Sequence, residues 1–578
     1  MARLDYFAPG VYVEEVNRGS RPIEGLPTAI AGFVGFTEDV RNGAQLYRPM
    51  MVSNWNQYLE YFGRPNSDGF TDFGAYLPFS VYGWFLNGGG RCWVTSIGTR
   101  LPGTPTPDIT DSGTDLMNRR DRPTLRFSLV GQASSRLNAA ANGTNGGSRT
   151  LKVQILNGEP KAPAPVATVA EGEGEDEAPA STTTININTG EFFTVLVRQG
   201  DETLERFENL TMNPQINAEV ADYVVEALSQ SNYVLATDLA NAGSILARRP
   251  ANGIYEISPP LPVATQEELP VHLEGVGNDR TGIRGLFEID EVTIVACPDL
   301  MRVYEAGLMD IDQVHSVMDL MIGMCEAAAA GDIPNPPNRM VVFDPPSDRV
   351  KPQDVSTWLS EEFNRRSQFA ALYYPWIEVP NPRNAGRPIA VPPCGHVMGV
   401  WARTDETRGV HKAPANEVPR GVTGLAYNCN FREQEQLNPI GINCLRPFPN
   451  RGIRIWGART LVEPDITDWR YINVRRLMSY IEKSIEIGTQ WVVFEPNDED
   501  LWQRVKRVVS NFLTELWRQG ALMGSSPEQA FYVKCDGELN TPDTMILGRL
   551  YIEIGVCPVR PAEFVIFRIS QWSGQDEG

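Results

Sequence analysis

The run LWQRVKRVVSNFLTEL, inside the stretch from Arg451 to Trp572, leaves this chain little freedom. Leu501, Trp502, Val505, Val508, Val509, Phe512, Leu513 and Leu516 recur at helical spacing and draw one apolar stripe that must be covered. Each such burial is worth ~1.5–3 kcal/mol, against ~0–1 kcal/mol for a surface ion pair, so the stripe decides the packing. Asn497 and Asp498 stand where a helix cap belongs, and Gly520 where the helix should end. Upstream, YINVRRLMSYIEKSIEIG repeats the pattern through Val474, Leu477, Met478, Ile481 and Ile485, with Gly488 as its C-cap. Around these helices RGIRIWGARTL, WVVFEPND (stopped by Pro496), FYVKCD, YIEIGVCPV and FVIFRISQW read as strands. A compact α+β domain over 441–578 is expected.

With 578 residues the chain exceeds a single core, and several domains are expected. Residues 1–27 read as an extended arm: Pro9-Gly10 turns, Val11, Tyr12, Val13, Glu14, Glu15 and Val16 form a short strand, and a polar segment follows. So thin a strand cannot bury a face alone, which points to pairing with another molecule's sheet edge. From 28 to 99 the pattern is α/β: TAIAGFVGFTE and RCWVTSIG read as buried strands around the helices SNWNQYLEYFG and YLPFSVYGWFLNGGG. Gly88, Gly89 and Gly90 follow a helix and precede a strand, the reverse of a nucleotide loop, so they read as a helix-ending turn. Residues 100–275 are rich in Thr, Pro, Asn and Gly, with alternating strands such as TLRFSLVG, TLKVQILNG and FFTVLVRQG, and a helix at AEVADYVVEALSQS. A β-sandwich is expected there, inserted into the α/β domain, with a disordered acidic loop over 158–183. Over 276–440 the α/β pattern resumes with VTIVACPDL, a helix around VHSVMDLMIGMCEAA, and NRMVVFDPP, so the sheet should be mostly parallel.

Several functions are disfavoured. The formal net charge of −21 argues against non-specific nucleic-acid binding. No window approaches ~18 consecutive apolar residues, so no spanning helix and no membrane insertion are expected. The start MARLDYFAPG has no basic and apolar signal-peptide pattern. Eight scattered cysteines without a CxxC pair, most in apolar runs, read as buried reduced thiols and cytosolic synthesis. Cys394 and His396 are two ligands with no second pair nearby, so neither metal nor cofactor is expected. His411 with Asp405, Glu406 and Arg408 lies in a polar loop without an activated nucleophile, and reads as a structural or contact segment. Asp299, just after a strand end, would suit a hydrolase-like sheet, but no set of residues completes a catalytic group.

Motifs along the chain carry a resemblance. GIRIWGARTL, WRYINVRRL, WVVFEPND, QAFYVKCD and GVCPVRPAEFVIF resemble the C-terminal domain of contractile tail sheath proteins, the family of phage tails, R-type bacteriocins and extracellular contractile injection systems. APGVYVEEV, VVFDPP, YYPWIEV, GVWARTDETRGVHKAPANE and LNPIGINCLRPF follow the family's order. The resemblance implies a structural subunit that polymerises helically around an inner tube, beginning at a baseplate and ending at a cap. It also implies a subtilisin-like middle domain without catalytic function. The arm strand at 11–16 and the tail strand at Phe564, Val565, Ile566 and Phe567 would complete the sheets of neighbouring copies. The C-terminal domain would lie innermost, so Arg504, Arg507 and Arg518, opposite the apolar stripe with Asn511, and Lys506 alongside them, would touch the tube. Read from the residues alone, that basic face is simply solvated. A non-contractile scaffold or an enzyme on the same fold is the alternative. Assembly in a bacterial cytoplasm, as part of a phage tail or a released particle, is expected.

Overall fold

The computed structural model describes residues 23, 25–63, 74–102, 114–118, 122–130, 137, 150–161, 189–239, 244–257, 264–329, 339–384 and 386–566. The arm strand at Val11–Val16, most of the acidic 158–183 stretch and the tail from Phe567 onward therefore lie outside the described residues. Two compact units emerge. The larger comprises Ala29–Arg403 and Ala415–Ile466; the smaller comprises Thr404–Pro414 and the chain from Thr467, together with the residues preceding Ala29.

In the larger unit, β1 (Ala31–Gly35), β2 (Pro49–Val52) and β3 (Cys92–Ser96) come first. An insertion follows with β4 (Thr114–Met117), β5 (Pro123–Leu129), β6 (Leu151–Asn157), β7 (Phe193–Gln199), β8 (Glu202–Thr211), β9 (Asp222–Tyr223), β10 (Val234–Asp238) and β11 (Gly253–Ile257). The chain then returns through β12 (Ile294–Ala296), β13 (Met340–Phe343), β14 (Ala370–Tyr374), β15 (Ile377–Pro380), β16 (Pro388–Val391), β17 (Gly424–Leu425), β18 (Ile442–Phe448) and β19 (Gly452–Ile455). Eight of these form one sheet in the order β19-β18-β14-β13-β12-β1-β3-β2. Its interior pairings from β18 to β3 are parallel, and β19 and β2 close the two edges antiparallel. β1, β12, β13 and β14 are buried along their whole length, which is why their sequences read as continuous apolar runs rather than as alternation.

Helices α1 (Trp55–Phe62), α2 (Leu77–Leu86), α3 (Asp299–Glu305) and α4 (Ile311–Ala329) lie on the connections, as the pattern predicts. Gly88, at φ +104°, turns the chain after α2 as expected of a helix-ending glycine. The insertion folds as two sheets, β10-β5-β4 and β11-β6-β7-β8-β9, over one core that includes Leu125, Phe127, Val153, Ile155, Val195 and Val197. The helix expected across AEVADYVVEALSQS shortens to Val224–Leu228, because Asp222–Tyr223 pairs with β8.

Asp299 stands at the carboxyl end of β12, wholly buried. Its Oδ2 accepts the Phe36 N–H at 2.7 Å and its Oδ1 the Tyr76 N–H at 2.5 Å, so one carboxyl ties the ends of β1 and β12 to the start of α2. A Cβ on Gly35 would sit 2.4 Å from that Oδ2, which keeps the position glycine. Asp344, after β13, accepts the Cys394 N–H at 3.0 Å and is also buried. Burial pushes both carboxyls up to about 7. These aspartates hold the sheet's rim together and are closed to solvent.

The boundary expected at residue 441 is displaced. β18 pairs with β14 and β19 pairs with β18, so the RGIRIWGARTL strand finishes the large sheet instead of opening the C-terminal domain.

Candidate assembly surface

The smaller unit is built on α7 (Ile472–Gly488) and α8 (Glu499–Arg518); α5 (Cys394–Arg408) and α6 (Phe431–Leu437) precede them. Asp498 caps α8, its side chain accepting the Leu501 N–H at 2.8 Å, and Gly520 takes φ +81° beyond its end. The eight residues buried on α8 are the eight of the predicted stripe. They pack with Leu477, Ile481, Leu522, Ala530 and Val533 into one core.

α7 buries more than its apolar positions. Arg475 and Arg476, adjacent in the helix, are both nearly inaccessible. Arg476 grips Asp405 with both Nη groups, one at 2.9 Å, and also donates to the Thr28 carbonyl at 3.1 Å. Thr28 Oγ1 donates to the same carboxylate at 2.5 Å. Arg475 lies over the Trp469 ring at 4.5 Å and pairs with Glu482 at 3.2 Å. Asn473 donates to the His411 carbonyl at 2.8 Å. Asp405, Glu406 and Arg408 are therefore the last turns of helix α5 and not a loop, and Asp405 is consumed by a buried ion pair. The His411 imidazole is held below its ordinary value, first by burial and then by Arg408. Two arginines side by side within an apolar period are the lock's one trace in the sequence, and they do not name its partner.

Against this core lies a single hairpin, β20 (Phe531–Lys534) paired antiparallel with β21 (Glu553–Val556). Phe531, Val533, Ile554 and Val556 face the core, while Tyr532 and Glu553 hydrogen-bond on the outer face at 2.7 Å. Among the described residues no third strand joins the hairpin; just past β21 the chain makes an isolated antiparallel bridge, Leu522–Pro558, with the Met523 N–H donating to the Cys557 carbonyl at 2.8 Å. The tail is tethered to the start of α7 by Arg560–Asp468 at 2.7 Å and by Tyr471 Oη donating to Glu563 at 3.1 Å. Just past Glu563 it is free of secondary structure, and Phe564, Val565 and Ile566 are 71%, 71% and 81% exposed. FVIFRISQW is thus not a strand of this chain over 564–566; Phe567 lies outside the described residues.

WVVFEPND is also not a strand. Gln490–Val492 is one turn of 3-10 helix, and Phe494 takes φ +68° with its side chain fully in solvent. A left-handed residue breaks extended pairing, and among the described residues this segment pairs with no strand.

Arg504, Lys506, Arg507 and Arg518 are all exposed, the three arginines on the side of α8 away from the core. Arg504 reaches Glu495 at 3.2 Å and lies over the Trp491 ring at 5.5 Å; Arg518 stands 3.9 Å from Glu515. Among the described residues no ion pair engages Lys506 or Arg507. At helical spacing Arg504, Arg507 and Arg518 share the face opposite the stripe, whereas Lys506 stands at the stripe's edge. Cys394 and His396 sit instead in the larger unit, fully buried on the first turn of α5, where burial pushes the imidazole down to about 4.

Comparison with known proteins gives these features a family. Residues 338–461 match the phage tail sheath protein central domain and residues 465–571 the phage tail sheath C-terminal domain. The break between them falls beside the division of the two units at Ile466/Thr467. The tail sheath protein of Salmonella phage ViI is 29% identical over 36% of this chain and 32% of its own. A putative prophage major tail sheath protein of Pseudomonas aeruginosa (strain UCBPP-PA14) is 27% identical over 33% and 48%. The chain thus matches less than half the length of these curated relatives. Among solved structures, the sheath complex of the extracellular contractile injection system PVC, in its contracted state, is similar with a TM-score of 0.52 at 20% identity, covering 98% of this chain and 99% of that one. The contracted helical sheath of the anti-feeding prophage gives 0.51 at 22% identity over the same shares. Residues 338–571 thus carry the central and C-terminal domains of phage tail sheath proteins in order, and the chain shares the fold of contracted sheaths over nearly its whole length.

Proposed function

We propose that this chain is the structural, non-enzymatic subunit of a contractile sheath, polymerising helically around a rigid inner tube from a baseplate and contracting to drive that tube through a target envelope. The observation that carries the reading is the unfinished hairpin beside an exposed apolar tail in a domain of the sheath family. A two-stranded sheet is marginal alone and its edges are a ready template for further strands. In this reading the arm strand Val11–Val16 and the tail strand Phe564–Phe567 of neighbouring copies complete the β20–β21 sheet. The subtilisin-like middle domain (28–99 and 276–440 in the sequence reading) acts as a rigid body, and the insertion at 100–275 faces outward.

The basic face of α8 meets an acidic surface on the tube. Arg504 and Arg518 spend their charge on exposed carboxylates, contacts worth ~0–1 kcal/mol that exchange freely, and Lys506 and Arg507 are available at once. Contraction then needs no nucleotide: the extended sheath is a trapped packing of folded subunits, relaxed by rigid-body rotation while the arms keep them connected. Subunits are assembled in a bacterial cytoplasm and act in a phage tail or released particle. Electron microscopy of the purified full-length chain tests the proposal. Long hollow tubes of contracted width are expected, and a chain that stays monomeric at high concentration would contradict it.

A further inference from the structure

Cys429 and Cys444 stand fifteen residues apart in sequence, and β18 brings Cys444 beneath the segment that carries Cys429. Arg446, on the same face of β18 as Cys444, donates from Nε to the Cys429 carbonyl at 3.2 Å and from Nη1 to Gln434 at 2.8 Å. The other flank of Cys429 is fixed by the cap of α6: Asn430 Oδ1 accepts the Glu433 N–H at 3.0 Å, and the Glu433 carboxylate accepts the Asn430 N–H at 2.8 Å. Held from both sides, the Cys429 thiol donates to the Asn430 carbonyl at 3.5 Å and neighbours the Cys444 thiol. Both sulfurs are buried, at 3% and 0% exposure for their residues, but Asn428 and Asn430 on either side of Cys429 are exposed, so only a thin layer covers it.

We propose that Cys429 and Cys444 are an oxidisable pair that closes to a disulfide when the chain meets a peroxide. The Cys444 S–H bond and the nearby Arg446 guanidinium hold the Cys429 thiol below its ordinary value, while the same hydrogen bond, with burial, holds Cys444 above its own. Cys429 is therefore the nucleophile. Its thiolate attacks one oxygen of hydrogen peroxide, the O–O bond breaks, hydroxide leaves, and a sulfenic acid remains. The Cys444 sulfur then attacks that sulfenic sulfur, the S–S bond forms, and the hydroxyl departs with the Cys444 proton as water. In sum two thiols and one peroxide give one disulfide and two waters. The crosslink staples the Cys429 segment and α6 to the penultimate strand of the large sheet, in a chain that a reducing cytoplasm would leave open.

The test uses the full-length chain, reduced, exposed to hydrogen peroxide, quenched with N-ethylmaleimide under denaturing conditions and digested with trypsin. Peptides 421–432 and 433–451 should appear joined, two hydrogens lighter than their sum, with the remaining cysteines alkylated. The oxidised chain should melt about 4 °C above the reduced one. In C444S, dimedone should trap Cys429 as its sulfenic acid, since nothing resolves it. Peroxide-treated wild type with both thiols fully alkylated overturns the proposal, as does Cys429 joined chiefly to Cys557. The wild-type comparison needs no variant, so poor folding of C444S leaves it standing.

Discussion

The eight-stranded sheet of the larger unit carries an antiparallel strand on each edge, β2 and β19, whereas the β20–β21 hairpin of the smaller unit has no third strand among the described residues. The first sheet takes all its partners from its own chain, and its central strands are buried end to end. The second is held by α8 from one side, while the tail beside it presents Phe564, Val565 and Ile566 to solvent. One sheet is complete as a monomer; the other has the form of a site to be filled. In the proposed reading, a subunit that stays rigid and joins its neighbours divides those tasks between two regions.

Each half of that contrast can be broken separately. The largest effect should come from Leu513→Ala, which empties a fully buried position of the α8 core and should cost about 2–5 kcal/mol. Hydrogen exchange should lose protection in α7, α8 and β20 and keep it in β12–β14. Uniform loss would mean the two units unfold as one.

Asp299→Asn should act in the other unit. The amide cannot accept both the Phe36 and Tyr76 N–H groups, because its NH2 must face one of them. A cost of about 1–3 kcal/mol is expected, seen as lost protection in β1 and α2. Full protection there would show that the carboxyl is not what joins those elements.

Asp344 gives a pH signature. Its carboxyl is raised from 3.8 to about 7, so between those values the folded chain holds a proton that the unfolded chain has released. Its contribution is present below pH 3.8 and lost as pH rises through 7. His396 runs the other way: held at about 4 against 6.5, it costs stability as pH falls from 6.5 to 4. Wild type should therefore lose Tm from pH 6.5 to 8, and Asp344→Asn should lose less. Equal slopes would contradict a protonated Asp344.

How much of this was legible depends on how local the signal is. The α8 stripe, from Leu501 to Leu516, is set by spacing within one helix, and all eight positions are buried as read. Strand identity was less legible, because a strand exists only with a partner. RGIRIWGARTL does hold a strand, but its partner is β18, so both belong to the larger unit and not to the C-terminal domain. WVVFEPND has strand composition and no partner, so it coils into a 3-10 turn and exposes Phe494. FVIFRISQW has strand composition too, and over 564–566 it pairs with no strand among the described residues. The basic positions on α8 followed from the stripe, whereas the Arg476–Asp405 lock joins residues 71 apart and no spacing announces it.

The smallest effect on folding should come from reversing charge at Arg504, Arg507 and Arg518. Surface changes of this kind cost within ~0.5 kcal/mol each, and the apolar stripe still holds α8. Expressed alone, the variant should still form contracted tubes. With tube and baseplate present, the ratio of extended to empty contracted particles should fall. An unchanged ratio would show that this face does not hold the tube.

The claim that the smaller unit is completed by neighbouring copies is tested most directly by removing residues 1–20. Electron microscopy should show tubes from the full chain and none from the truncated one at equal concentration. Hydrogen exchange on the truncated chain should match that of the full-length monomer throughout both units. Normal tubes from the truncated chain would contradict the account.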